Sequence, residues 1–259
     1  METKLSSQAT TAGNRSLRLE GAVNFRDLGG LATRDGRVTA RGILFRGDSP
    51  RYLTERDTDT FERIGLRTVI DLRSETERGR DSSRPLASCV PLMLHIPMQY
   101  APDSDDSGTY VVPEGVSSLE DLYVAYLRHS GQAIARTFSV LADPKTMPAL
   151  IHCAAGKDRT GLIAALVLSS VGVEDDLIAG DYEATSINIP SLIALLEQAD
   201  PIAGDHLSHL DPELLRADRR TILSTLNWLR STYGSVDGYL KFCGVANEDV
   251  AVLRHRLVG

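Results

Sequence analysis

An α/β layered domain is what this sequence predicts, and three observations carry that expectation. Strand-like apolar runs alternate with helix-like stretches along much of the chain. One run, Pro148-Ala149-Leu150-Ile151, feeds a short loop of small residues and then an unbroken apolar helix from Leu162 to Leu168. The chain has 259 residues, 42% hydrophobic and 24% charged, enough for one large domain or one domain with a substantial insertion. Strands and helices that each have a face to bury stack as layers around a shared core.

The elements follow in order. Met1 to Ser16 is polar and rich in Ser and Thr, and it reads as a disordered tail rather than a Sec signal. A single domain is expected over 17–259. Asn24-Phe25-Arg26-Asp27-Leu28-Gly29-Gly30 precedes a turn at Arg34-Asp35-Gly36-Arg37, where Asp-Gly between strand-like residues marks a hairpin. Ile43 to Arg46 is another short strand. Thr54 caps a helix that runs to about Ile64 and stops at Gly65. Thr68 to Arg73 is an apolar strand ending in charges. Residues 102–117, rich in Pro, Gly, Asp and Ser, read as a mobile loop. Ser118 starts a helical stretch with Leu119, Leu122, Tyr123 and Tyr126 on its buried face, broken near Gly131 and ending near Leu141. From Glu174 onward the chain reads as helical, interrupted by Pro190, Pro201 and Pro212.

Charge and composition exclude several classes. A net charge of −7 argues against a nucleic-acid partner. The longest apolar run is too short to span a bilayer, so no transmembrane segment is expected. Cys89, Cys153 and Cys243 are far apart and give neither a disulfide framework nor metal spacing, which suits a reducing cytoplasm. The six histidines show no ligand pattern, so no metal and no cofactor are expected.

The chemistry concentrates at Ile151-His152-Cys153-Ala154-Ala155-Gly156-Lys157-Asp158-Arg159-Thr160-Gly161. A strand, a tight loop and a helix N-terminus in that order make an anion cradle, because loop N–H groups and the helix dipole converge on one point. Cys153 stands at the start of that loop, and the surrounding donors with Arg159 should favour its thiolate. The Arg159 guanidinium is a planar fork that matches two phosphate oxygens, which a lysine would not. Ala154, Ala155 and Gly156 are small enough to bring backbone close to a phosphoryl group. Thr160 can bond the Cys153 sulfur or cap the helix. His152 is expected to pack and orient the loop. A nucleotide-binding loop would need Gly where Ile151 stands, and Ser or Thr where Asp158 follows Lys157. The spacing of Cys153 and Arg159 is that of cysteine-dependent phosphatases.

Three motifs extend the match: Asn24 to Gly30, then Leu44-Phe45-Arg46 with Asp71-Leu72-Arg73, then His152 to Gly161. With Tyr233 to Leu240, they make the chain resemble the atypical bacterial protein tyrosine phosphatase family over about residues 18–257. The resemblance implies a three-layer phosphatase fold with a central, mostly parallel sheet flanked by helices. It also implies a helical, lid-like insertion, here at about 185–220. The mechanism it implies is a two-step phosphomonoester hydrolysis through a phosphocysteine, with one group acting as acid and then as base. The resemblance also implies dual specificity; a lysine placed like Lys157 goes with phosphoinositide activity in related phosphatases, and some family members leave the cell without a Sec signal.

The acid is open at this level. The Trp-Pro-Asp tripeptide that carries it in many tyrosine phosphatases is absent. Asp158 in the cradle is the first candidate, Asp71 the second and an aspartate of the 103–106 loop the third. Lys157 and Arg46 are candidate substrate contacts. Arg26 and Arg73 read as structural, with Asp27, Asp48 or Asp71 as partners. The substrate is a phosphorylated protein or, alternatively, a small phosphorylated metabolite; a non-catalytic phosphate-binding module is the remote reading.

Overall fold

A computed structural model describes residues 15–79, 85–100, 116–199 and 212–259. Five strands form one sheet: β1 (Arg26–Asp27), β2 (Leu44–Gly47), β3 (Thr68–Asp71), β4 (Leu92–His95) and β5 (Ala149–His152), in the order β1-β2-β5-β3-β4. Only the β1–β2 pair is antiparallel. The central strand β5 is in register with both neighbours, so its last residue, His152, stands abreast of Gly47 and Asp71. The segments that leave these three strands therefore emerge side by side, at the carboxyl edge where open α/β sheets build their sites.

Both faces of the sheet are buried, and the residues alternate between them. Phe45, Val69 and Leu150 join a smaller cluster with Phe25, Phe61 and Leu86. Leu44, Ile70, Ala149 and Ile151 point into the larger core. This period-2 division makes the three layers, and it explains why the strands read as continuous apolar runs.

The smaller cluster is closed by α1 (Glu55–Ile64). Its start and stop are as the sequence predicts. Thr54 and Asp57 form a reciprocal capping box, and Gly65 ends the helix at φ 69°. The larger core gathers α3 (Leu119–His129), α4 (Gly131–Ala142), α5 (Asp158–Ser170), α6 (Asp175–Ala199), α8 (Arg219–Tyr233), α9 (Val236–Phe242) and α10 (Asn247–Val258). Between them lie the short α2 (Glu75–Gly79) and α7 (Pro212–Leu215). Helix α5 runs under the sheet, and Leu162 to Leu168 are buried all round, as befits a central helix.

One expectation, at Pro190, needs correction. At the expected edge of the tail, Ser16 bridges Arg26 and the Arg15 guanidinium reaches Asp181 at 2.8 Å. The rest of the tail, 1–14, lies outside the described residues. Pro190 does not interrupt its helix: α6 continues through it. Buried Ile178, Ala179 and Tyr182 anchor the helix before the proline and Leu192 after it, so packing on both sides outweighs one lost backbone bond. Strand β4 and helix α2 have no sequence forecast. Leu92 and Met93 at the sheet edge are more than a third exposed and break any alternation, and α2 spans only 5 residues.

Of the insertion expected over about 185–220, the described residues are the C-terminal part of α6, then α7 and the start of α8. Residue 185 lies inside α6. Residues 200–211, like the mobile-loop positions 102–115, lie outside the described residues. Among the described residues, no helix is long and apolar enough to cross a membrane.

Candidate active site

The loop from Cys153 to Lys157 joins β5 to α5, and its carbonyl groups are tied down one after another. The Ala154 carbonyl accepts from the Ser49 amide at 2.8 Å. The Ala155 carbonyl accepts from Asn24 Nδ2 at 2.9 Å, and the Gly156 carbonyl from Arg46 Nη2 at 2.6 Å. The Lys157 carbonyl accepts from the Gly161 amide at 2.8 Å. In a planar trans peptide the next N–H points opposite to the carbonyl. The amides of Ala155, Gly156, Lys157 and Asp158 are thereby turned away from these anchors, into the loop's concave side, at the head of α5. Such a nest of N–H groups at a helix N-terminus binds anions.

Two glycines make the close packing feasible. Gly156 has φ 67°, and a Cβ there would lie 2.4 Å from the Gly47 carbonyl. Gly47 itself abuts the Phe25 ring at 2.5 Å from where its Cβ would be.

Cys153 is buried at the loop's start. His152 Nδ1 lies 3.1 Å from the Cys153 carbonyl oxygen, and Nε2 lies 3.9 Å from Asp71, so the imidazole braces the backbone as expected. The Arg159 guanidinium is held end-on by Glu77, with contacts of 2.5 and 2.6 Å. Burial alone would lower Arg159, but Tyr126 and the Glu77 carboxylate outweigh it and hold the guanidinium well above its usual range. Glu77 also closes a capping box on α2: its carboxylate accepts from the Ser74 amide at 2.8 Å, and Ser74 Oγ accepts from the Glu77 amide at 3.1 Å. One carboxylate thus fixes both the short helix and the arginine.

Asp158 opens α5 and lies beside the loop. Its Oδ1 accepts from the Tyr123 hydroxyl at 2.7 Å and sits 3.2 Å from Lys157 Nζ. Lys157 Nζ also donates to the Leu214 carbonyl on α7. Asp71, the second acid candidate, is spent on Arg73, which approaches it at 2.8 and 2.9 Å. Burial opposes that charge, while His152 and Arg73 hold the carboxyl well below the usual range. The 103–106 aspartates lie outside the described residues. Thr160 departs from both of its expected roles: its buried hydroxyl has no hydrogen-bond partner among the described residues.

Arg46 is buried behind the loop rather than in front of it. It bonds the Gly156 carbonyl and pairs with Asp181 at 2.7 Å. Arg26 also pairs with Asp181, at 3.1 Å, and bonds the Asn24 amide oxygen at 2.6 Å. The structural reading of Arg26 stands, but its partner is neither Asp27 nor Asp48. Burial, reinforced by the Arg46 charge, lowers Arg26 to about 10, against the pull of Asp181. Arg73 is structural as expected. Sequence reasoning missed Glu77, Asp181 and Asn24. The Ser74-x-x-Glu77 pattern was a visible signal for the first, Asn24 heads a motif already singled out, and no local signal marks Asp181. A separate cavity of about 240 Å³ lined by Arg51, Arg73, Arg78, His95 and His152 adjoins this region and does not include Cys153 or Arg159.

The sheet with its amide nest, cysteine and paired arginine defines a tyrosine-phosphatase-type hydrolase, and the chain belongs to the tyrosine phosphatase family, whose profile matches residues 17–259. It is accordingly a cysteine-dependent phosphoric monoester hydrolase. Among individual proteins, it is similar to the triple specificity protein phosphatase PtpB of Mycobacterium tuberculosis, with 29% identity over 93% of this chain and 98% of that protein. It is also 29% identical to a tyrosine-protein phosphatase of Nostoc commune, over 87% of this chain and 77% of the relative. Among solved structures, the core catalytic domain of the PP-IP phosphatase SIW14 from S. cerevisiae aligns with 82% of this chain and 98% of that one, at 16% identity and a TM-score of 0.39.

Proposed function

We propose that the chain hydrolyses phosphotyrosine in proteins, with serine, threonine or phosphoinositide phosphates as further substrates. The observation that carries this reading is the row of outward-tied carbonyls, which leaves an amide nest next to Cys153 and Arg159. In the first step the Cys153 sulfur attacks phosphorus in line. The P–O bond to the leaving group breaks, and Asp158 supplies the proton to the departing oxygen. In the second step water attacks the phosphocysteine, Asp158 takes its proton, and the electron pair of the P–S bond returns to sulfur. The loop amides and Arg159 stabilise the equatorial oxygens in both steps. Ala155, Gly156, Lys157 and Asp158 contribute the amides, the Ala154 carbonyl is tied back by Ser49, Thr160 lies on the first turn of α5, and Arg46 keeps the Gly156 carbonyl out of the phosphate's way. A relative bearing the name triple specificity supports the breadth of the substrate set.

The test is a substrate panel of phosphotyrosine, phosphoserine and phosphothreonine peptides, phosphoinositides, nucleotides and sugar phosphates, run with chelator on wild type and Cys153→Ser. Chelator-resistant turnover of the peptides that disappears in the variant is the expected result. Turnover confined to nucleotides or sugar phosphates would replace the protein substrate with a metabolite.

A further inference from the structure

Behind Asp158 lies a chain of two buried hydroxyls. Tyr123 on α3 donates to Asp158 Oδ1 at 2.7 Å, and its oxygen lies 2.5 Å from the hydroxyl of Tyr182 on α6. The rings meet edge to face at 6.1 Å and 90°. Both side chains are fully buried. Gly161, one turn along α5 from Asp158, is what admits Tyr182: a Cβ at Gly161 would stand 3.0 Å from the Tyr182 ring. Three helices therefore converge so that one carboxylate meets one phenol.

We propose that Tyr123, backed by Tyr182, is the positioning residue for Asp158 and follows it through both protonation states of the catalytic cycle. This rests on the reading of Asp158 as the acid and base.

The argument is about donors and acceptors. With Asp158 ionised, the Tyr123 proton is committed to Oδ1, so the short contact to Tyr182 requires Tyr182 to donate. With Asp158 protonated, its O–H can donate to Tyr123, and Tyr123 can turn its own proton toward Tyr182. A hydroxyl does both jobs, whereas lysine or arginine could only donate. Burial, together with the Asp158 carboxylate, raises both phenols above their usual range, so neither loses its proton during turnover. Tyr123 therefore neither gives up nor gains a proton in net terms. It holds Asp158 in one rotamer while Asp158 exchanges its proton with the leaving group and then with water. The facing cation is Lys157, from the loop itself.

The experiment compares phenyl phosphate, whose leaving group needs protonation, with p-nitrophenyl phosphate, whose leaving group scarcely does. Tyr123→Phe should lower kcat/KM, which reports the leaving-group step and not the shared hydrolysis of the phosphocysteine, about tenfold on phenyl phosphate and less than about threefold on p-nitrophenyl phosphate. In an Asp158→Asn background the same change should add no further loss, because the residue it positions is already disabled. Tyr182→Phe, which keeps both rings, should give the same signature at about two- to threefold, and it decides the matter if Tyr123→Phe does not fold. Equal losses on both substrates, or a loss that multiplies with Asp158→Asn, would overturn the positioning role. Should Asp158→Asn itself slow both substrates alike, the assignment of the acid fails first, and the role of Tyr123 falls with it. A leaving-group signature intact in Asp158→Asn but missing from the tyrosine variants sinks the tyrosine proposal alone.

Discussion

Gly156→Ala offers the sharpest probe of how the catalytic loop is held. The residue has φ 67°, and its new Cβ would fall 2.4 Å from both the carbon and the oxygen of the Gly47 carbonyl and 2.6 Å from the Asp48 amide. These are backbone atoms of a central strand and its exit, so no side chain can rotate out of the way. A left-handed alanine costs about 1–2 kcal/mol before any clash. Forcing a methyl into packed surroundings adds about 1–3 kcal/mol. The two together predict a loss of about 2–5 kcal/mol, or a melting temperature lowered by about 5–15 °C for a chain of this size. If the loop shifts to relieve the clash, the amide nest moves with it, and a misplacement near 1 Å costs about a hundredfold in rate. Denaturant unfolding and steady-state kinetics on p-nitrophenyl phosphate read the two outcomes together. A variant within about 0.5 kcal/mol of wild type in stability and within about twofold in kcat would refute the claim that Gly156 is pressed against the Gly47 backbone.

Two further predictions concern stability. Asp181→Asn removes the carboxylate shared by Arg15, Arg26 and Arg46, and strands buried guanidinium charge; a loss of about 3–5 kcal/mol in urea unfolding is expected, and less than about 1 kcal/mol would show the charges finding water instead. Asp48 is fully buried, and burial raises it to about 6 in the folded chain even though the Val23 and Asn24 amides bond its carboxylate. A carboxyl raised on folding contributes stability that is fully present below the unfolded value near 4 and is lost as pH rises through 6. The wild type should therefore lose about 3 kcal/mol between pH 4 and pH 7 relative to Asp48→Asn; parallel stability curves for the two proteins across that window would contradict it.

What the sequence disclosed was whatever is encoded locally. The capping box at Thr54 and Asp57, the stop at Gly65, the break between α3 and α4 at Ser130, and the strand-loop-helix around Cys153 each depend on residues a few positions apart. The supports of the site are long-range and stayed hidden. Glu77 meets Arg159 across 82 positions, and Arg26 meets Asp181 across 155. Tyr123 was visible only as one more apolar member of a buried helix face, because periodicity reports burial and says nothing about the hydroxyl at the end of the ring. Arg46 could be placed near the pocket by its motif, but which side of the loop it occupies depends on Asp181, far along the chain.

Helix α6 touches the support of the catalytic loop at several points. Asp181 pairs with Arg46, which bonds the Gly156 carbonyl; Asn188 bonds Asn24, which bonds the Ala155 carbonyl; Thr185 bonds Arg26. During synthesis, Cys153 and Arg159 leave the ribosome well before Asp181 and Asn188. A nascent chain that already carries the nucleophile also carries Ser49, Asn24 and Arg46, but not yet the helix that holds Asn24 and Arg46 in place. The full support of the catalytic loop is therefore complete only once the chain has been made through Asn188, 35 residues past the cysteine.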